Sequence, residues 1–176
     1  MRYILGLDIS TSVVGYTVID ENKKLHELSY IKLTKEKDLF VKADIVKDVL
    51  LEYEGLITDV AIEEPLVMFK EGFSRAQILS KLSTFNGMIS IMSKFIYNTT
   101  PVHYNVNTAR KLSFPMVKFP VGSNRKEIIR QAVAEMYPDI DWPLMAKGKN
   151  IGSPRKECYD MSDSATVALC HLTNKN

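Results

Sequence analysis

At 176 residues, 45% hydrophobic and 25% charged, the sequence has globular composition and the length of one compact domain over residues 1–176, enough to bury roughly two thirds of its unfolded surface. That excludes wholesale disorder and collagen-like repeats, and no apolar run approaches the ~20 residues needed to cross a bilayer, so no membrane association is expected. The net charge of +2 is unevenly spread: residues 1–104 hold twelve Lys/Arg against fourteen Asp/Glu, whereas residues 105–156 hold ten against four, a block that reads either as a polyanion-binding face or as solvated surface.

In chain order, residues 2–9 form a nearly continuous apolar run, the pattern of a strand buried on both faces. Asp8 follows too soon for a removable leader, so a cytoplasmic location is expected. Ser10-Thr11-Ser12 predicts a turn into a second strand, Val13 to Asp20, and Glu21-Asn22-Lys23-Lys24 a turn into a third at 26–33. Two polar turns joining three strands predict an antiparallel meander. The period then changes. Leu39, Phe40, Ala43, Val46, Val49, Leu50 and Tyr53 recur at helical spacing until Gly55. Residues 57–63 return to strand character and stop at Pro65; a long helix is predicted over about 74–97, with Ile78, Leu79, Leu82, Phe85, Ile89 and Met92 as its inner stripe. A short strand near 101–105 follows. A helix capped by Ser123 turns Ile128, Ile129, Ala132, Val133 and Met136 inward, an irregular stretch runs from Pro138 to about 157, and a last helix spans about 159–173. The order β-β-β-α-β-α-β-α-α predicts a mixed sheet covered by helices. Cys158 and Cys170 stand without CxxC or Cys/His spacing, which signals neither a disulfide framework nor zinc.

Several carboxylates occupy inconvenient places. Asp8 lies near the end of the first apolar strand, where it reads as a turn cap or as a member of a site. Glu63 and Glu64 end another apolar strand. Asp160 and Asp163 stand three apart at the start of the last helix and share a face with Val167 and Cys170, although acids in a first turn also simply complement the helix dipole. Clustered carboxylates repel one another unless a cation neutralises them, and a hard divalent ion with oxygen ligands suits the set. Two such ions about 3.5–4 Å apart can activate water and stabilise a leaving oxygen in phosphodiester cleavage. Acids for metal beside a basic block for phosphate is a nuclease combination.

Five stretches carry a resemblance to a known family: Ile4 to Val18 with Asp8 and Gly15, Val60-Ala-Ile-Glu63-Glu64, Leu82-Ser-Thr-Phe-Asn-Gly87, Pro101-Val-His-Tyr, and Tyr159-Asp160-Met-Ser-Asp163 through His171. Across most of the chain the sequence resembles the RuvC-like Holliday-junction resolvases. The resemblance implies an α/β, ribonuclease H-like fold with a mixed five-stranded sheet, antiparallel meander plus parallel strands, flanked by helices. It also implies a homodimer that binds four-way DNA junctions and cuts opposed strands to leave 5′-phosphate ends, using two Mg²⁺ ions per site with Mn²⁺ as a substitute. Carried over by motif, the catalytic and metal-binding acids are Asp8, Glu63, Asp160 and Asp163. Glu63 fits better than Glu64 because it follows Ala-Ile. Lys126, or alternatively Arg125, is the basic residue expected at the phosphate.

The stretch between Glu63 and Gly87 is longer than in bacterial members and carries Met68, Phe69 and Phe73; Phe69 is the first candidate for a wedge that unstacks a base. Phe73, Arg75, Arg110, Lys111, Arg125, Lys126, Lys147, Lys149, Arg155 and Lys156 complete the expected DNA-binding set, and the 74–97 helix is the expected dimer contact. The differences point to a phage, viral or organellar-type branch. The alternatives are a less selective nuclease acting on flaps, forks or single strands, an RNA-directed nuclease, and a metal-poor nucleic-acid-binding scaffold or an actin-like nucleotide-binding fragment, the last disfavoured because 176 residues carry no second lobe with further Gly-rich phosphate loops.

Overall fold

The computed structural model describes residues 1–65 and 73–174, with the side chains of the second helix from residue 76 onward. Strands β1 (Tyr3–Ile9), β2 (Val13–Asp20) and β3 (Leu25–Lys32) form the predicted antiparallel meander. The Ser10 hydroxyl closes the first turn, donating to the Val13 carbonyl at 2.8 Å and accepting from the Val13 amide at 3.0 Å. The second turn is held by the Asp20 carboxylate, which accepts from the amides of Asn22 and Lys24. Helix α1 (Leu39–Leu51) is capped by Asp38, whose carboxylate accepts from the amides of Phe40 and Val41. Next come β4 (Asp59–Glu63), α2 (Phe73–Tyr97), β5 (Val102–Tyr104), α3 (Val106–Ser113), α4 (Arg125–Met136) and α5 (Glu157–Asn174).

Five sequence expectations change, the first being Met136, which was expected on the inner face of its helix and is 40% exposed at the end of α4. The element order gains α3, a short helix capped by Asn105 that the sequence reading passed over. The cap of α4 is Asn124, whose side chain accepts from the Glu127 amide; Ser123 instead donates to the Pro120 carbonyl. Ile78 is 64% exposed and leaves the inner stripe of α2, while Phe85 and Ile89 are fully buried. Within the irregular stretch, Leu144 and Pro154 form an antiparallel bridge and Arg155 N–H donates to the Pro143 carbonyl, so its two ends are tied together.

The five strands lie in the order β3-β2-β1-β4-β5, with β1–β4 and β4–β5 parallel. Strict alternation sorts each strand between two faces. Leu5, Leu7 and Ile9 of β1 join Val14, Tyr16, Val18, Val60 and Ile62 against residues of α1 and α2, chiefly Val46, Leu50, Phe85 and Ile89. Ile4, Ile19 and Ala61 turn the other way, against α5 with α3 and α4 behind it. Each fully buried aliphatic or Phe side chain contributes roughly 1.5–3 kcal/mol. Because β1 has period two, Gly6 and Asp8 share the α5 face with Ile4.

Helix α5 is covered nearly all round from Glu157 to Leu172, which explains its small-residue composition. Its hydroxyls are satisfied inside: Ser162 donates to the Cys158 carbonyl, Thr166 to the Ser162 carbonyl, and Thr17 and Ser164 hydroxyls meet at 2.6 Å. Two glycines set how close the helix comes to the sheet. A Cβ on Gly6 would lie 2.2 Å from the Ser164 carbonyl oxygen, and one on Gly15 would lie 2.1 Å from the Asp160 carbonyl oxygen. The far end of the sheet carries a polar chain. Arg2 Nε lies 2.7 Å from Asp59, Asp59 Oδ1 lies 3.1 Å from His171 Nε2, and His171 Nδ1 lies 2.9 Å from the Tyr104 hydroxyl.

Candidate metal centre and nucleic-acid interface

Asp8 and Glu63 come together by register. Gly6 stands opposite Ala61 and Leu7 opposite Ile62 in the parallel β1–β4 pair, so one residue further on Asp8 and Glu63 are neighbours, and alternation puts both on the α5 face. Asp8 also stands opposite Gly15 of β2. The missing Cβ there admits the Asp160 carbonyl and lowers the first turns of α5 onto the sheet. Asp163, 2% exposed, then projects from α5 into the same space. One carboxylate oxygen from each of Asp8, Glu63 and Asp163 lies within 4.8 Å of the other two. Glu63 is the member of this group; Glu64 is exposed, and its amide donates to the Tyr104 carbonyl. Asp160 is placed on the same helix face but outside the close triplet, so the four expected acids divide into three that converge and one that flanks them.

Two cations attend the cluster. Arg110 Nη2 donates to Asp163 Oδ1 at 2.9 Å, and Lys126 Nζ lies 3.2 Å from Asp163 Oδ2. The ammonium sits off the line of a good hydrogen bond, so Oδ2 is buried without a hydrogen-bond partner among the described residues. Loss of water raises the Asp8 carboxyl well above the usual carboxylate range, reinforced by the charges of Glu63, Asp163 and Asp160. Burial first, then Asp163, pushes Glu63 up to about 7. Burial also pushes Asp160 up to about 6, against the pull of Lys126. For Lys126, burial lowers the ammonium pKa, but Asp163 and Asp8 outweigh it and the net shift is upward.

The donor set fits a hard divalent ion. Mg²⁺ takes oxygen ligands at about 2.1 Å, so ligands across one ion stand up to ~4.2 Å apart. Three carboxylate oxygens within 4.8 Å need only small side-chain movement to meet it. Burial first, and then mutual repulsion, disfavours the charged forms of Asp8 and Glu63, and a bound cation would offset both.

The expected DNA-binding residues separate by position. Lys111, Arg125, Lys147, Lys149 and Lys156 are exposed, and the Lys126 side chain is half-exposed. Arg110 is corrected: it is 8% exposed, and its guanidinium is engaged with Asp163 rather than spread on open surface. Arg155 is drawn to the buried Glu157 at 2.8 Å. Phe69 lies outside the described residues, as do the side chains of Phe73 and Arg75. The sequence reading missed the clamp of Arg110 on Asp163. Its signal was the Asn105 cap followed by Ala109 and Leu112 at helical spacing, which defines α3 and the face that Arg110 occupies.

No protein-family model matches the sequence, and no curated protein matches it either. Solved structures do. Thermus thermophilus RuvC in complex with a Holliday junction substrate superposes with a TM-score of 0.69 at 13% identity, over 99% of this chain and 95% of that one. The chain has the RuvC-like fold. A structure of Thermus thermophilus RuvC gives 0.65 at 13% identity with the same coverage. The yeast mitochondrial Holliday junction resolvase Ydc2 gives 0.59 at 12% identity, over 97% of this chain and 77% of its own. The mixed five-stranded sheet flanked by helices is thus the RuvC-like arrangement, and no helix among the described residues is long and apolar enough to cross a membrane.

Proposed function

We propose that this chain is a metal-dependent, structure-specific DNA endonuclease that resolves four-way junctions by paired cuts leaving 5′-phosphate ends. The observation that carries the reading is the convergence of Asp8, Glu63 and Asp163 at one end of the sheet, in a fold whose RuvC neighbour was solved on a Holliday junction. Asp8 and Glu63 from adjacent parallel strands, with Asp163 from α5, would hold Mg²⁺ or Mn²⁺, two ions per site. Asp160 would complete the set on the outer side. The bound ions supply activation of water and stabilisation of the leaving oxygen.

The chain's own residues do the rest. Arg110 fixes the Asp163 carboxylate, so that ligand is oriented before any ion arrives. Lys126 balances the acids and, with its side chain half-exposed, meets the phosphate of the strand to be cut. The exposed Lys111, Arg125, Lys147, Lys149 and Lys156 contact flanking phosphates, so binding weakens steeply with salt. Resolution by paired cuts needs two sites. A second copy of the chain supplies the other, docked on α2, where Ile91 and Phe95 stand one turn apart and are 61% and 80% exposed.

The test is incubation of the protein with an immobile four-way junction, a fork, a flap, a duplex and a single strand, with and without Mg²⁺, followed by mapping of nicks. Symmetric, Mg²⁺-dependent nicks on opposed junction strands with 5′-phosphates are expected. Equal cutting of forks and flaps would favour the less selective nuclease, and no cutting of any substrate would overturn the reading.

A further inference from the structure

Beside the carboxylates lies a cleft of about 340 Å³ whose walls include Asn107, Arg110, Lys111, Phe114, Phe119 and Arg125. A larger hollow, about 650 Å³, opens between β3 and residues 136–141, but it holds none of the site residues. The smaller cleft has the more specific chemistry. Its walls carry three cations, two aromatic rings and no acid. Cations for phosphate and flat π-surfaces for a base are the two elements with which proteins hold an unpaired nucleotide.

Three placements narrow the occupant. Arg110 belongs to both the cleft and the site, because this wall residue donates from its guanidinium to Asp163 at 2.9 Å. Anything in the cleft is therefore a near neighbour of whatever sits at the carboxylates. Arg125 lies 6.0 Å from the Phe119 ring centroid, a cation–π pair within the cleft lining and next to Lys126 in sequence. The volume is at the small end of ligand sites, which run from ~300 to ~1,000 Å³, and has room for one base with its sugar. Asn107 is the one wall residue whose side chain carries both a donor and an acceptor; its backbone N–H donates to Asn105 Oδ1, and its side-chain carboxamide makes no hydrogen bond among the described residues.

We infer that this cleft captures one unpaired base of the strand being cut, adjacent to the scissile phosphate. Phe119 stacks on the base, Lys111 and Arg125 hold its phosphates, and Asn107 reads its edge. The inference rests on the endonuclease reading above and adds to it a source of sequence preference. Phe119 and Asn107 are positioning and specificity residues and touch no reacting atom.

The experiment is a cycle between substrate and protein. Each nucleotide within two positions of the mapped nick is replaced in turn by an abasic site, and single-turnover cleavage is measured for wild type, Phe119→Ala and Phe119→Tyr. One position is expected to lose about tenfold in the wild type when its base is removed. Phe119→Ala should lose about as much on the intact junction and nothing further on the abasic one, while Phe119→Tyr keeps the wild-type pattern. Should Phe119→Ala fold poorly, Asn107→Ala on the exposed start of α3 provides the second readout: cleavage rates for the four bases at the sensitive position should converge. A junction that is cut, but with no sensitive position or with additive losses from Phe119→Ala and the abasic site, overturns the cleft and leaves the nuclease standing. A junction that is not cut at all overturns both.

Discussion

Replacing Asp8 with Asn keeps the size of the side chain and leaves a cluster whose oxygens lie within 4.8 Å with no charge to hold at a position where burial and the charges of Glu63, Asp163 and Asp160 all oppose ionisation. At that separation a like-charge pair costs roughly 3–4 kcal/mol at an effective dielectric of ~20, and ~1 kcal/mol in water. Arg110 and Lys126 already balance Asp163, so the relief falls mainly on the Asp8–Glu63 pair. Between those two limits, with Glu63 partly open to solvent, about 1–2 kcal/mol is what Asp8→Asn can recover. In a chain of this length that raises the melting temperature by about 2–8 °C in EDTA near pH ~8. The same substitution deletes a metal ligand, so added Mg²⁺ should stabilise the wild type and leave the variant almost unmoved. Junction cleavage should disappear while junction binding persists. The assay is thermal denaturation with EDTA or Mg²⁺, alongside binding and cleavage of the same junction. A variant less stable than wild type in EDTA, or equally stabilised by Mg²⁺, would refute the reasoning.

Three further outcomes follow from the same structure. Because burial and neighbouring carboxylates raise the Glu63 pKa from 4.5 to about 7, the Asp160 pKa from 3.8 to about 6 and the Asp8 pKa well above 3.8, the metal-free folded state holds protons that the unfolded chain releases; stability in EDTA therefore falls as pH rises from about 4 through about 7, with Asp8 adding to the fall, and a urea midpoint that climbs across that window would contradict the shifts. Gly15→Ala drives a methyl into the Asp160 carbonyl, lifting α5 from the sheet, so it should cost about 1–3 kcal/mol or more and reduce cleavage well beyond what the stability loss explains, whereas Gly87→Ala, with nothing within 4 Å, should stabilise by about 0.5–1 kcal/mol in denaturant titrations. Asp59→Ala removes the carboxylate that Arg2 and His171 both contact at the far end of the sheet and should lower stability by about 1–3 kcal/mol while leaving kcat unchanged below the melting transition, and a large fall in kcat would show the two ends to be coupled.

Much of this architecture was legible because it is written in short-range patterns. Two polar turns between β-like runs give the meander, and the change from period two to helical spacing after Leu39 marks α1. The acids were legible because Asp8 and Glu63 end apolar strands, and that is where a parallel register can make them neighbours. What could not be read is long-range. Gly15 matters through a carbonyl that lies far along the chain, and nothing local distinguishes it from a glycine that merely relaxes a strand. Arg110 counted as one cation in a basic block until the docking of α3 on α5 turned it inward. Asp160 and Asp163 share a face in sequence, yet α5 lies so close to the sheet that Asp163 enters the triplet and Asp160 stays outside it. Local composition also hid α3, because its eight residues lie between a strand and the Phe114-Pro115 break and carry only one turn's worth of apolar signal.

The central claim is that three carboxylates from β1, β4 and α5 form one divalent-ion site. Its most direct measurement is an anomalous difference map from a crystal of the wild-type chain soaked in Mn²⁺. The account predicts at least one peak within coordination distance of both Asp8 and Glu63, with Asp163 as a further ligand, and no such peak in Asp8→Asn. A featureless map at those side chains in the wild type, or the same peak in both proteins, would contradict it.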